Sequence, residues 1–278
     1  MIPQATRLTL GDYSLHRLTL EPMTAPRGGL VFFHGQGDFI DRYPPILAPF
    51  VDAGYRCVLT DLPGHGRSSG RRGHLPGLSF IDELLADSLD QLEGPLVIAG
   101  HSMGGLMALR LHLLNPEHFQ AAWFSSPLLS ILDRTHPVLA KLLPLLAHLM
   151  PRFTIGTGVT SEQCGNFGEG PRADLPEEEA LFHSRISLGW GVELCHAAET
   201  VWERIPSAPP TTPVLVTQGA QDPICPPGIL KNLLGQASFE RKTVEMIPEA
   251  LHEPFSGSSR EDFMTRLRSW IETTLVIS

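Results

Sequence analysis

A serine, an aspartate and a histidine stand in this chain in the order and context that would let them attack an acyl carbon. Gly100-His101-Ser102-Met103-Gly104-Gly105 fits G-x-S-x-G, with a short apolar run before it and a helical pattern after it. A tight strand-to-helix turn of this kind strains the serine backbone and exposes its hydroxyl. Glycines at 100 and 104 avoid collisions that a Cβ would make with neighbouring backbone. The helix that begins at Ser102 directs its first N–H groups at a developing anion. The bland alternative is a glycine-rich turn holding an incidental serine, and the flanking strand and helix weigh against it.

A serine hydroxyl needs a base, and the base needs an orienting acid. The apolar run 214–218 leads into Gly219-Ala220-Gln221-Asp222-Pro223, which makes Asp222 the candidate acid. A second option, an acid after the run 121–125, is not offered by Ser125-Ser126-Pro127. The run 242–247 leads to His252, the one histidine that follows Asp222 and the candidate base. Asp222 could also be a turn residue before proline, and His252 a surface histidine flanked by Glu249 and Glu253. A negatively charged intermediate needs two preorganised donors. The backbone N–H of Met103 is one; that of Gln36, in the loop His34-Gly35-Gln36-Gly37-Asp38 after the run 29–33, is the other.

The elements that must position these groups alternate. Strands are expected at 13–20, 29–33, 56–60, 96–99, 121–125, 214–218 and 242–247. Helices are expected from Pro44 to Gly54 and at 80–92, 102–114, 228–234 and 260–275. Continuous apolar strands separated by helices predict an α/β fold with a mostly parallel central sheet and helices on both faces. Between 127 and 206 the rhythm stops and no clear strand is visible. That segment reads as a helical cap inserted into a core of 1–126 and 207–278, beside the sheet edge where ligands bind.

Composition removes other classes. Of 278 residues, 42% are hydrophobic and 18% charged, which excludes disorder as the main state. The net charge of −9 and the lack of a basic stripe argue against a nucleic-acid partner; Arg67, Arg71 and Arg72 are too local to track a phosphate backbone. Cys57, Cys164, Cys195 and Cys225 form no C-x-x-C pair. Gly64-x-Gly66 is followed by Gly70, one residue out of register for a dinucleotide fingerprint, and no Gly-Lys-Ser/Thr is present. The start lacks the pattern of a secretory leader, and the most apolar stretch, 137–150, is interrupted by Lys141, Pro144 and His148. A soluble, cytoplasmic protein with free thiols is expected.

Together, His34-Gly35-Gln36-Gly37-Asp38 with Arg42-Tyr43, the run Asp61-Leu62-Pro63-Gly64-His65-Gly66-Arg67-Ser68-Ser69-Gly70, the Ser102 motif, Ser125-Ser126-Pro127-Leu128 and Gln218-Gly219-Ala220-Gln221-Asp222 resemble the monoacylglycerol lipase and lysophospholipase branch of the α/β-hydrolases. The resemblance covers almost the whole chain and is weakest in the insertion. It implies an α/β-hydrolase core, a helical cap, no metal or other cofactor, and hydrolysis of acyl esters through Ser102, Asp222 and His252. It places Asp38, Arg42 and His101 near the alcohol side of the substrate. Phe182 aligns where glyceride lipases of the family often carry a cap tyrosine, and Phe255 where some carry a second histidine, so two groups that could bind a glycerol head are apolar here. His252-Glu253 is similar to bacterial lysophospholipase-type sequences. Cys225 matches a cysteine near the site in some relatives, although a small packed side chain explains it as well.

Val138, Leu139, Leu142, Leu143, Leu145, Leu146, Leu149 and Met150 make 137–150 apolar on nearly every face. Such a helix could wall an acyl tunnel, touch a lipid surface transiently, or simply pack on the core. The expected partner is a small acyl ester, monoacylglycerol-like or lysophospholipid-like. The rival readings are an esterase for small non-lipid esters, a C–C, thioester or lactone hydrolase with the same three residues, and a ligand-binding protein on a hydrolase scaffold.

Overall fold

Glycine and proline punctuate the chain into strands and helices whose apolar residues must find cover on both sides of a sheet. The computed structural model of the chain describes residues 3–131, 137–165 and 176–275. The strands, in chain order, are β1 (Pro3–Leu10), β2 (Tyr13–Leu20), β3 (Gly28–Phe33), β4 (Tyr55–Thr60), β5 (Leu96–His101), β6 (Ala121–Ser125), β7 (Thr154–Gly156), β8 (Arg185–Ser187), β9 (Val214–Gly219) and β10 (Lys242–Ile247). Eight of them form one sheet in the order β1-β2-β4-β3-β5-β6-β9-β10. The β1–β2 and β2–β4 pairs are antiparallel, and every pair from β4 to β10 is parallel.

The helices are α1 (Pro44–Asp52), α2 (Leu78–Leu89), α3 (Met103–Leu114), α4 (Pro137–Leu149), α5 (Ser161–Cys164), α6 (Pro176–Glu179), α7 (Leu188–Arg204), α8 (Pro227–Gln236) and α9 (Arg260–Thr274). Alternate residues of a strand feed opposite layers. Val31 and Phe33 join the apolar layer that holds residues of α2, α3, α7 and α8. Leu30 and Phe32 join the layer that holds α1 and α9. The residues of β3, β6 and β9 are all buried, as strands covered on both faces must be. The mostly parallel α/β architecture expected from the sequence is therefore present.

Two features differ from the expectation. β1 is an additional edge strand: Pro3-Gln4-Ala5-Thr6-Arg7 is polar and exposed, so it carries no burial signal, and only its antiparallel register with β2 defines it. Between β6 and β9 the chain is not purely helical. β7 and β8 form a separate antiparallel pair, Thr154 opposite Ser187 and Gly156 opposite Arg185, each only three residues long and too short to show a period. The long helix of this segment is α7; the Ser187 hydroxyl caps it by accepting the Trp190 N–H at 3.2 Å. Among the described residues no helix is long and apolar enough to cross a membrane.

In α4, Leu143 reaches inward and Ala147 is buried, whereas Leu142, Leu145 and Leu149 are exposed. The side chains of Val138 and Leu139 lie outside the described residues. Exposed Met150, Phe153 and Ile155 follow α4 in the chain and extend its exposed apolar series.

Candidate active site

The carboxyl ends of β3, β5, β9 and β10 converge at one place. β5 runs straight into α3 through Ser102, whose backbone is held at φ 55° and ψ −118°. That positive φ is unfavourable for any residue with a Cβ. A Cβ on Gly100 would lie 2.2 Å from the Gly104 carbonyl oxygen, and one on Gly104 would lie 2.0 Å from the Phe33 carbonyl oxygen, so both positions require glycine. The Ser102 N–H donates to the Ser125 carbonyl at 2.9 Å, and its carbonyl accepts from Leu106 and Leu128 N–H, each at 3.0 Å. The turn is thus held from both sides while its hydroxyl faces a cavity.

The structure brings together the three residues singled out in the sequence. Ser102 Oγ lies 2.8 Å from His252 Nε2. His252 Nδ1 lies 2.8 Å from Asp222 Oδ2. A carboxylate only accepts, so Nδ1 carries the hydrogen toward Asp222 and Nε2 is left to accept from the serine hydroxyl. Asp222 is saturated: Oδ1 accepts the backbone N–H of Ile224 at 2.8 Å and of Cys225 at 2.9 Å, and Oδ2 also accepts from Gln218 Nε2 at 2.8 Å. Burial works to raise the Asp222 pKa, but the charge and hydrogen bond of His252 and the two backbone donors hold it below the ordinary carboxylate value. Burial disfavours the His252 imidazolium, yet Cys225 and Asp222 beside it outweigh burial and raise its pKa above the ordinary value.

The loop after β3 lies against this group. His34 accepts the Leu62 N–H at Nε2 (3.0 Å), which leaves Nδ1 to donate to the Gly35 carbonyl at 2.8 Å. This neutral tautomer ties the loop to the strand end that follows β4. Gln36 belongs to the same loop and lines the cavity together with Gly35 and Ser102. Met103 is the first residue of α3, so its N–H has no intrahelical partner.

The residues that the resemblance placed on the alcohol side also gather here. Asp38 Oδ1 accepts from the Phe39 N–H and from Arg42, and Oδ2 accepts from the Tyr43 hydroxyl at 2.6 Å. Arg42 donates in addition to Glu253 Oε2 at 2.6 Å. His101 is buried between His252 and Phe255, with both ring centroids 4.9 Å away. Burial, then the neighbouring His252 charge, push its pKa down to about 3, so His101 is neutral across the working range. Phe182 packs edge-on against Phe39 and stacks over the Arg42 guanidinium at 5.0 Å. All of Asp38, His101 and Phe182 line the cavity. Phe255 is instead buried against Tyr43 and Phe263.

The cavity measures about 870 Å³. Its apolar walls come from both sides of the chain, with Leu128, Leu143, Ile155, Ile186, Leu194 and Ile229 among them. Among its described lining residues the charged side chains are those of Asp38 and Glu162, with no lysine or arginine among them. Among the described residues, one group of three could offer metal ligands: Asp222, Cys225 and His252, whose donor atoms lie within 4.8 Å of one another. Its oxygen and nitrogen donors are already engaged with each other.

Several contributors stand in motifs noted in the sequence but have no role assigned there. Glu253 is noted only as flanking His252, and it is buried as the partner of Arg42. Gln218, at the end of β9, reads as a strand residue, but its amide orients Asp222. The N–H groups of His252 and Glu253 donate to the carbonyls of Gln163 and Cys164, so the segment between β6 and β9 also holds the loop that carries the imidazole.

Comparison with known proteins adds a family context. A family model described as serine aminopeptidase, S33, matches residues 24–258. The monoacylglycerol lipase of Mycolicibacterium smegmatis is 27% identical over 261 residues, covering 91% of each chain. An uncharacterized abhydrolase domain-containing protein of Dictyostelium discoideum is 29% identical over 269 residues; the match covers 95% of this chain and 28% of that one, so this chain spans little more than a quarter of that relative. The crystal structure of Paleococcus ferrophilus monoacylglycerol lipase superposes with a TM-score of 0.81 at 25% identity, covering 94% of this chain and 99% of that one.

Proposed function

The chain belongs to the serine aminopeptidase S33 family of hydrolases, and from that premise we propose that it hydrolyses carboxylic esters of uncharged acyl lipids, monoacylglycerol-like in chemistry, through Ser102, His252 and Asp222. The observation that carries this reading is the pair of 2.8 Å contacts linking Ser102 Oγ, His252 and Asp222 at the wall of a cavity with apolar sides. His252 takes the Ser102 proton as Oγ attacks the ester carbonyl. The backbone N–H groups of Gln36 and Met103 hold the resulting oxyanion, a contribution of about 3 kcal/mol per donor. His252 then protonates the departing alcohol, and water, deprotonated by the same imidazole, releases the acid.

The segment 127–206 serves as a cap whose inner face receives the acyl chain. The polar end of the cavity supports an uncharged head group. Arg42, which pairs with the lining residue Asp38, is also engaged by Glu253, and the charged lining residues among those described are acidic. A phosphate there would meet carboxylates rather than a free cation. Two substrate series test this. Rates on 4-nitrophenyl esters should rise from acetate to octanoate or beyond. A monoacylglycerol should be cleaved at least tenfold faster than lysophosphatidic acid bearing the same acyl chain. Aminoacyl 4-nitroanilides, the substrates suggested by the family's description, should be slower than either. Best activity on acetate with none on decanoate removes the lipid reading, and the absence of all ester turnover removes the proposal.

The exposed residues Leu142, Leu145, Leu149, Met150, Phe153 and Ile155 support a transient contact of the cap with a lipid surface. Leu149→Asp should reduce co-sedimentation with phosphatidylcholine vesicles several-fold while turnover of dissolved 4-nitrophenyl butyrate stays at the wild-type rate. Unchanged vesicle binding would count against the contact.

A further inference from the structure

The two residues assigned as oxyanion donors share one side-chain partner. The indole N–H of Trp190, in the first turn of α7, donates to Gln36 Oε1 at 3.1 Å and to Met103 Sδ at 3.3 Å. Trp190 is fully buried, and its ring is fixed at the capped start of its helix. The capping Ser187 hydroxyl is itself engaged by His74 Nδ1 at 2.9 Å. The other end of the Gln36 amide is tied to the same stretch of chain, since Nε2 donates to the Arg185 carbonyl at 2.7 Å. Alongside, the His183 N–H donates to the Gly37 carbonyl at 3.0 Å and the Ser187 N–H to the Gly73 carbonyl at 2.8 Å. Residues 183–190 therefore form a strap stitched along the loop that holds Gln36.

An oxyanion donor helps only if it is aimed before charge develops, so that no reorganisation is needed as the barrier is crossed. The His34–Asp38 loop contains two glycines and leaves many backbone directions open to the Gln36 N–H. An indole N–H is a donor with no acceptor capacity, and shared between two acceptors it can restrain two side chains at once. We propose that Trp190 is a positioning residue for the oxyanion hole: by holding the side chains of Gln36 and Met103 through one N–H, it fixes the direction of both backbone donors. This rests on the reading of Ser102 as the nucleophile.

Two variants test it with different liabilities. Trp190→Phe keeps an apolar ring and removes the N–H. Gln36→Met keeps the backbone donor and the side-chain length but removes the amide. Each should lower kcat on 4-nitrophenyl butyrate about tenfold with KM within twofold of wild type. Each should weaken inhibition by an alkyl trifluoromethyl ketone, which forms an oxyanion adduct on the serine, by the same factor. The double variant should lose far less than the product of the two single losses, because both break the Trp190–Gln36 hydrogen bond. Loss of packing alone would change thermal stability or KM without tying kcat to the inhibitor constant. If Trp190→Phe does not fold, Gln36→Met, at a half-buried side chain, still reads out the restraint. Wild-type kcat and inhibition in the variants, or losses that multiply to about a hundredfold in the double variant, would overturn the proposal. A wild-type protein that neither turns over the ester nor forms the adduct would overturn the reading of Ser102 itself.

Discussion

Replacing Ser102 with alanine is expected to lower ester turnover roughly 10⁵- to 10⁶-fold and to abolish labelling by a fluorophosphonate, with folding preserved. The hydroxyl faces the cavity and touches His252 Nε2, which places it to form the acyl intermediate. Stability follows a different rule from activity. The residue sits at φ 55° whatever hydroxyl it bears, so alanine keeps the backbone strain and should melt close to wild type. Glycine at the same position removes that strain, worth of order 1–3 kcal/mol, and gives back part of it as extra freedom in the unfolded chain. Ser102→Gly should therefore be as inactive as Ser102→Ala and more stable than it by about 1 kcal/mol. Turnover assays together with melting curves of the three proteins decide the matter. Near-normal rates in a pure alanine variant, or fluorophosphonate labelling that survives it, would refute the assignment. A chain that binds acyl esters without cleaving them would show no labelling even in the wild type.

This coupling of strain to function explains why the nucleophile was legible from sequence. A backbone that must turn this sharply demands glycine two residues either side of the serine, and Gly100 and Gly104 record that demand in the local pattern. Asp222 and His252 were legible because each follows a strand, the buried β9 and the partly exposed β10, in the order this chemistry uses. Other parts were silent for equally physical reasons. Trp190 is 154 positions from Gln36 and Glu253 is 211 from Arg42, and no spacing rule connects residues that meet only after folding. The edge strand β1 is exposed over its first five residues and so lacks the apolar alternation by which strands are recognised. β7 and β8 are three residues each, defined by pairing rather than by composition. The apolar stretch 137–150 left three roles open because it is apolar all round. Only the positions of Leu143 on the cavity and of Leu142, Leu145 and Leu149 in solvent divide its faces.

Asp222→Asn is the substitution of second-largest expected effect, and its consequence can be read from the hydrogen-bond donors around the carboxylate. All four neighbours donate: the N–H groups of Ile224 and Cys225, the Gln218 amide, and His252 Nδ1. An asparagine offers one accepting oxygen and one donating NH₂. With its oxygen turned to the two backbone N–H groups, the NH₂ faces His252 Nδ1, which must then lose its hydrogen and accept. The ring changes tautomer, Nε2 gains the hydrogen, and Ser102 has no base. Turnover should fall roughly 10⁴-fold at neutral pH, equivalent to about 5 kcal/mol of barrier. The pH profile gives an independent reading. In the wild type the His252 pKa is raised, so kcat/KM should fall on acidification with a midpoint above pH 6.5. Removing the carboxylate charge takes away part of that upward shift, and the acid limb of the residual activity should move to lower pH. The dependence of stability on pH runs the other way. A raised folded pKa makes the His252 imidazolium a stabilising element below about pH 6.5 that is lost as pH rises through the folded value, and the asparagine variant should lack this pH-dependent increment. An unchanged acid limb in Asp222→Asn, or activity within tenfold of wild type, would show that the proton on His252 is governed by something other than Asp222.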